Sequence, residues 1–200
     1  MRLVVGLGNR GSEYEWTPHN MGFLAVDALA ERARIRVTRP EARARVGRGQ
    51  LAGHDVVLAK PQTMMNLSGI AVQMLIERYE CDTTETIVLI DEVDLPWGML
   101  RIRERGRNST HNGLKSVIAS LGTDEFIRVR MGVRPERVWG DLQDYLLSTM
   151  RSDERRTAQE EALEAASAVE LILTEGVAKA MVRFNRKVSP EEATGIVSDE

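Results

Sequence analysis

The chain is nearly devoid of cysteine. Its single thiol, Cys81, cannot close an internal disulfide, which fits a reducing compartment. Nothing in Glu80-Cys81-Asp82-Thr83 supplies a base to activate it as a nucleophile. No apolar run reaches membrane-spanning length, so no membrane association is expected. The opening Met1-Arg2-Leu3-Val4-Val5 lacks the long apolar stretch and small-residue cleavage site of a secretory signal. It reads as a buried strand, and a cytoplasmic location is expected. Also missing are the Gly-x-Ser-x-Gly nucleophile elbow and the His-Glu-x-x-His metal spacing. Their absence argues against a serine hydrolase, and against a metal hydrolase built on His19, Asp91, Asp94 and His111. No repeat, low-complexity tract or linker interrupts the 200 residues, a length that suits one compact domain.

Charge is present but unevenly spread. The net charge of −3 would weakly repel a polyanion. Yet the segment Arg101 to Arg137 carries nine basic and four acidic residues, while Arg151 to Glu200 carries seven and eleven. A basic segment within an acidic chain marks a local anion site.

Hydrophobic periodicity predicts alternating strands and helices. Strands are expected at Leu3-Val5, at Arg45-Arg48 and Val56-Ala59 around a hairpin at Gly53, at Thr86-Ile90, at Leu100-Arg103 and at Ile127-Met131. Helices are expected at Asn20-Ala33, Ser68-Tyr79, Leu114-Leu121, Ser152-Glu175 (ended by Gly176) and Val177-Phe184. The pattern is that of an α/β fold in one domain, a mixed, largely parallel twisted sheet covered by helices on both faces. The domain is expected over residues 1–187, with a frayed polar tail at 188–200.

Gly6, Gly8 and Gly11 follow the first strand with dinucleotide-turn spacing. That turn needs its third glycine to open a helix at once, so that the helix N-terminus meets a pyrophosphate. Here Ser12-Glu13-Tyr14-Glu15-Trp16-Thr17-Pro18 intervene, and the acidic residue about twenty positions on, Glu31, falls inside a helix. The turn serves something else.

Polar residues gather where elements end. Asn9 follows the first strand and His19-Asn20 opens the first helix. Asn66 precedes the second helix, Asp91 and Asp94 follow the most apolar strand, and His111-Asn112 precedes the third helix. In open α/β sheets, ligands bind beyond the carboxyl ends of strands, where such loops converge. Each position has a plain structural reading: Asn66 or Ser68 as a helix N-cap, Asp91 as a turn residue, His111 as a solvated loop residue. Together they place an imidazole, a carboxylate and several amides at one rim.

These motifs resemble a family. Val5-Gly6-Leu7-Gly8-Asn9 with Tyr14 and His19-Asn20, Lys60-Pro61-Gln62-Thr63-Met64-Met65-Asn66-Leu67-Ser68-Gly69, Asp91-Glu92-Val93-Asp94-Leu95-Pro96 with Gly98, and His111-Asn112-Gly113-Leu114-Lys115 are similar, in order and spacing, to bacterial peptidyl-tRNA hydrolase. The resemblance runs from residue 1 to about Asn185. It implies hydrolysis of the ester joining a peptide to the 3′ ribose of tRNA, with no cofactor and no metal, by a monomer whose partner is peptidyl-tRNA. It further implies that His19 is a general base oriented by Asp91, and that Asn9 reads the peptide amide. Tyr14, Met64, Asn66 and Asn112 would contact the 3′ end, and Arg101, Arg103 and Arg130 the phosphates. Asn20, Met65, Asp94 and His111 would support them. The chain departs from the family at Arg10, where proline is usual, and at Pro18, where arginine is usual. It departs again at Met64 in place of an aromatic, and at Gly106-Arg107-Asn108-Ser109-Thr110 in place of a glycine loop. Strand alternation puts the arginines of Leu100-Arg103 and Ile127-Arg130 on one face, as a phosphate handle or a solvated strand face. An RNA-binding relative of the same fold without turnover is the alternative. The intact His19, Asp91 and Asn66 set argues against it, since binding alone does not need them.

Overall fold

The apolar side chains of Leu3, Val4 and Val5 gain by leaving water on either side of a strand, and Arg2–Gly6 forms β1 at the middle of a sheet. The computed structural model describes residues 1–106, 110–135 and 140–185. The expected tail at 188–200, and residues 107–109 of the unusual loop, lie outside the described residues.

After β1, two 3-10 turns at Ser12–Tyr14 and Pro18–Asn20 lead into α1 (Met21–Ala33). A short strand β2 (Arg39–Glu41) pairs antiparallel with β3 (Ala44–Leu51), which forms the hairpin with β4 (His54–Pro61). Then come α2 (Ser68–Tyr79), β5 (Ile87–Pro96), β6 (Leu100–Arg105), α3 (Asn112–Leu121) and β7 (Glu125–Arg134). The described chain closes with α4 (Leu142–Leu147), α5 (Ser152–Glu175) and α6 (Val177–Phe184).

The seven strands lie in the order β2-β3-β4-β1-β5-β7-β6. The central four, β4, β1, β5 and β7, run parallel, and β3 and β6 run antiparallel to their neighbours. Side-chain alternation divides the core between two faces. On one, Val4, Leu58, Leu89, Val129 and Met131 pack under α1, α5 and α6. On the other, Leu3, Val5, Val88 and Ile90 pack under α2 and α3, against Val72, Leu75, Leu114 and Val117. Each such fully buried Leu, Ile or Val contributes about 1.5–3 kcal/mol of transfer free energy.

The glycine turn owes its composition to close packing. A Cβ at Gly6 would lie 2.0 Å from the Gly22 carbonyl oxygen, and a Cβ at Gly22 would lie 2.4 Å from the carbonyl oxygens of Leu7 and Leu89. The N-terminus of α1 is thereby drawn against the ends of β1 and β5, which is what carries His19 to Asp91. Gly11 has φ +114°, a conformation closed to other residues.

Three features differ from the sequence reading. Strand β5 runs through Asp91 and Asp94 to Pro96, because pairing with β7 persists past Glu92 through a register shift. Asp91 is therefore a strand residue, not a turn residue. Strand β2 and helix α4 are too short, at three and six residues, to show a period. The N-cap of α2 is Leu67, so neither Asn66 nor Ser68 caps it; the Ser68 hydroxyl instead donates to the Met65 carbonyl at 2.8 Å. At the far edge, the Asn185 amide brackets Ile102, accepting from its N–H at 2.6 Å and donating to its carbonyl at 3.1 Å. That satisfies part of the outer edge of β6, which would otherwise be open to another strand.

Candidate active site

The carboxyl ends of β1, β4 and β5 open onto a cavity of about 660 Å³. Four short segments reach it: Asn9 to Tyr14 after β1, His19 on its 3-10 turn, Thr63 to Asn66 after β4, and His111-Asn112 at the start of α3. The His19 turn begins with Pro18, whose missing N–H costs nothing at a helix start.

Asp91 is the centre of the site, 2% exposed. Its Oδ1 lies 2.9 Å from Nδ1 of His19 and 2.9 Å from Nε2 of His111. The two rings are 4.8 Å apart, tilted by 48°. Their protonation follows from their partners. Nδ1 of His111 accepts the Leu114 backbone N–H at 3.2 Å, capping α3, so the ring's proton sits on Nε2 and is donated to Asp91. An ionised carboxylate only accepts, so His19 likewise donates from Nδ1. The Nε2 of His19 keeps its lone pair and makes no hydrogen bond to another described residue, on a ring that lines the cavity. His111 is thus no solvated loop histidine: it is mostly buried and bonded on both nitrogens.

Burial alone would raise the pKa of Asp91. The electrostatic attraction of the His19 and His111 rings, with the hydrogen bonds they donate, overcomes it and holds the carboxyl well below the usual carboxylate range. For His19, burial favours the neutral ring, but the facing carboxylate and its hydrogen bond win, and its pKa lies above the ordinary 6.5. His19, Asp91 and His111 offer three donor groups within 4.8 Å of one another, the only such group among the described residues. Asp91 Oδ1 and one nitrogen of each ring are already bonded to one another there, so a cation would have to displace both hydrogen bonds.

The amides surround this pair. Asn20, 2% exposed, clamps the backbone of Asn9: its Oδ1 accepts the Asn9 N–H at 2.7 Å, and its Nδ2 donates to the Asn9 carbonyl at 3.0 Å. The side chains of Asn9, Asn66 and Asn112 all line the cavity, and none of them is hydrogen-bonded to another described residue. Met64 is exposed at the rim, Tyr14 lies on the wall, and Met65 is buried beneath it with its sulfur against Gly113. Asp94 stands apart. It is exposed and outside the cavity, and its backbone carbonyl accepts from Arg134.

The arginines lie on one face of the β6–β7 ladder, Arg101 opposite Arg130 and Arg103 opposite Arg128. Their fates differ. Arg130 is paired with Glu92 at 2.8 Å. Arg128 is fully buried, stacked 4.3 Å from the Phe126 ring centre and bonded to the carbonyls of Gly106 and Asp124. Burial, then the Arg130 charge, pushes its guanidinium down to about 10. Arg101 and Arg103 make no ion pair with a described residue.

Sequence reasoning missed two parts of the wall. Leu142, Leu146 and Leu147 of α4 close one side, held by Tyr145, whose hydroxyl donates to the Val133 carbonyl at 2.9 Å. The only signal was Asp141, an N-cap that accepts from the Gln143 N–H. Glu92 also lines the cavity; its place beside Asp91 in the strand gave no hint that it would meet Arg130.

Fold and site together define an α/β enzyme whose imidazole, oriented by a buried carboxylate, faces free amides across an open polar cleft. The comparisons make this specific. The family model for peptidyl-tRNA hydrolase matches residues 3–192. The chain is 49% identical over 199 residues to the peptidyl-tRNA hydrolase of Koribacter versatilis, covering 99% of each chain. It is 45% identical to that of Solibacter usitatus, over 94% of this chain and 95% of the relative. The crystal structure of peptidyl-tRNA hydrolase from Acinetobacter baumannii superposes with a TM-score of 0.85 at 33% identity, covering 92% of this chain and 94% of that one. The chain belongs to the peptidyl-tRNA hydrolase family.

Proposed function

We propose that this protein hydrolyses the ester between a peptide and the 3′ ribose of tRNA, so recycling tRNA from prematurely released peptidyl-tRNA. One observation carries the mechanism: Nδ1 of His19 is tied to Asp91 at 2.9 Å, leaving Nε2 as a base on the cavity wall. His19 takes a proton from water as the water attacks the ester carbonyl, and Asp91 stabilises the imidazolium that forms. A positioned base of this kind contributes roughly 10²–10⁴-fold. Asn66 and Asn112 donate amide N–H groups to the carbonyl and ribose. The Asn9 side chain accepts the neutral amide N–H of the last residue, whose nitrogen in free aminoacyl-tRNA is a strongly hydrated ammonium that must be desolvated to enter, and Asn20 holds Asn9 to that task. Tyr14 and Met64 pack the terminal nucleotide.

Arg101 and Arg103 grip phosphate. Like charges directly opposite in a ladder are destabilising, and here Arg101 faces Arg130 and Arg103 faces Arg128. A bound polyanion relieves that repulsion. The Arg130 charge is already met by Glu92, so Arg130 joins the grip less directly than its two neighbours. We take the protein to act as a cytoplasmic monomer. No described helix is long and apolar enough to cross a membrane.

The test is release of tRNA from N-acetyl-aminoacyl-tRNA by the purified protein, set against unblocked aminoacyl-tRNA. Hydrolysis of the blocked substrate alone is expected, and His19→Ala should lower its rate at least about 100-fold with tRNA binding retained. Tight tRNA binding with no hydrolysis would favour the RNA-binding reading instead.

A further inference from the structure

The densest basic segment of the chain is far from the β6–β7 arginines. Residues 32–48 hold seven arginines, no lysine and a single acid, Glu41. They form the end of α1, β2 and β3, the opposite edge of the sheet. Glu41 is already spent on Arg78, Arg39 and the Tyr79 hydroxyl. Arg32 is spent on Glu170. Arg34, Arg36 and Arg43 are exposed and make no ion pair with a described residue, and exposed Arg48 lies only over the Tyr79 ring. Arg45 stands opposite Lys60 in the β3–β4 register; Lys60 is paired with Asp27 at 2.6 Å, while Arg45 donates to the Thr38 carbonyl at 3.0 Å and makes no ion pair with a described residue.

Two of these arginines occupy costly backbone. Arg34 has φ +53° at the end of α1, and Arg43 has φ +57° in the β2–β3 turn, beside Ala42 at φ +47°. Glycine or asparagine fills such positions at lower cost. The chain places a cation there instead, and strain of this kind collects where function over-determines the residue.

We propose that the β2–β3 edge is a second RNA-docking surface, which engages the phosphate backbone of an RNA other than the acceptor stem of the substrate. Arginine without lysine suits phosphate, which it holds bidentately. Strand β3 begins at Ala44, and alternation turns Arg45 toward the Arg36 side and Arg48 toward Tyr79 on the other, so the edge presents cations to both faces of the sheet for a phosphate backbone to straddle. The sheet is seven strands wide, about 29 Å from β2 to β6 at the usual strand spacing. An RNA whose 3′ end sits over β1 and β5, with its backbone on β6, runs away from β2 and β3, although the near end of this edge shares a second cavity with Asn9 and Asn20, lined by Thr38, Arg45 and Lys60. The second edge therefore faces a different RNA segment. This rests on the RNA chemistry of the proposed function but uses none of its catalytic residues.

The probe is a labelled blunt RNA hairpin of about 20 base pairs with no single-stranded 3′ end, titrated by fluorescence anisotropy across a salt series. It is read with the parent, with R101Q/R103Q, and with R34Q/R36Q/R43Q/R48Q. The quadruple variant should bind the hairpin at least tenfold more weakly, with a salt slope flatter by about 0.7–0.9 for each phosphate it no longer neutralises. Its kcat and KM for N-acetyl-aminoacyl-tRNA should stay within twofold of the parent. Lysines at the same four positions should restore part of the affinity. Arg43→Gly should raise the melting temperature while lowering hairpin affinity, which separates a functional cation from a folding one. Hairpin binding that survives the quadruple change, or is absent in the parent, overturns the proposal. So does a KM for the substrate that rises as much as the hairpin affinity falls, because the edge would then belong to the substrate site. A parent that binds the hairpin through this edge but hydrolyses nothing would refute the proposed function and leave this surface standing.

Discussion

Asp91→Asn isolates what the buried carboxylate does. In the parent, one oxygen, Oδ1, receives both imidazole N–H groups. An asparagine turned with its amide oxygen toward the rings keeps both hydrogen bonds, and His111 enforces that orientation because Leu114 already fixes its proton on Nε2. The tautomer of His19 survives, and only the charge is removed. Two unit charges about 4 Å apart at an effective dielectric near 20 attract by about 4 kcal/mol. The imidazolium that forms as water is deprotonated forgoes that stabilisation, so single-turnover hydrolysis should fall by about 10²–10³-fold. The pH profile carries the sharper signature. His19 works as a neutral base, so the rate rises with pH as the ring gives up its proton. Asp91 holds that proton on, which places the acid limb of the parent above 6.5. Without the carboxylate, burial acts alone and favours the neutral ring, so the limb should move below 6.5 even as the ceiling drops. The measurement is single-turnover release from N-acetyl-aminoacyl-tRNA between about pH 5 and 8. A variant whose rate falls while its acid limb stays in place would show that Asp91 is not what sets the basicity of His19.

Asn20→Ala should reproduce Asn9→Ala, narrowing the ratio of rates on blocked and unblocked aminoacyl-tRNA, because Asn20 holds both backbone groups of Asn9. Unchanged selectivity in either variant at normal activity would remove that residue from the role. R101Q/R103Q should raise KM for full-length peptidyl-tRNA with kcat nearly unchanged, and a blocked aminoacyl ester on a short 3′ fragment should barely notice. An unaltered KM and salt slope would make the two arginines a solvated strand face. Glu161 is 1% exposed, accepts from the Gly132 N–H at 2.6 Å and the Gly98 N–H at 3.2 Å, and has its pKa pushed well above 4.5 by burial. Its contribution to stability is present in full below its unfolded pKa and disappears as pH rises through the folded one. Glu161→Gln should flatten the fall of melting temperature with pH, and an unchanged slope would clear Glu161 of the effect.

Much of the fold was legible because its elements are long enough to show a period. The helices at 68–79, 152–175 and 177–184 lie where the apolar spacing places them. What escaped was short or continuous. Helix α4 is less than two turns long, and beyond Tyr145 and Leu146, which reach the core, its leucines face a cavity, so no apolar stripe shows in the sequence. The end of β5 looked like a loop because Asp91-Glu92-Val93-Asp94 is acidic. Pairing with β7 holds it extended, and the buried carboxylate is compensated by two imidazoles that come from 72 and 20 residues away.

The same limit explains what the sequence left open about individual site residues. Composition and position put His19, Asp91 and the amides at one rim, and the structure assembles them there. Sequence position cannot say which of two neighbouring acids turns inward. Asp91 and Asp94 are three apart on an irregular strand, and one is the buried centre while the other sits in solvent beside Arg134. Nor can it separate Arg128 from Arg130. Both point the same way by alternation, yet the first is buried under Phe126 as an anchor for Gly106, and the second spends its charge on Glu92. A count of basic residues therefore overstated the charge available at the β6–β7 edge, where two of four arginines are already engaged. At the β2–β3 edge the arithmetic runs the other way: its acid is consumed locally, and arginines at positions of left-handed backbone stay exposed. Among the described residues, the free cations beside the expected RNA grip are fewer than residue counting predicts, while five of the seven arginines on the far side of the sheet make no ion pair.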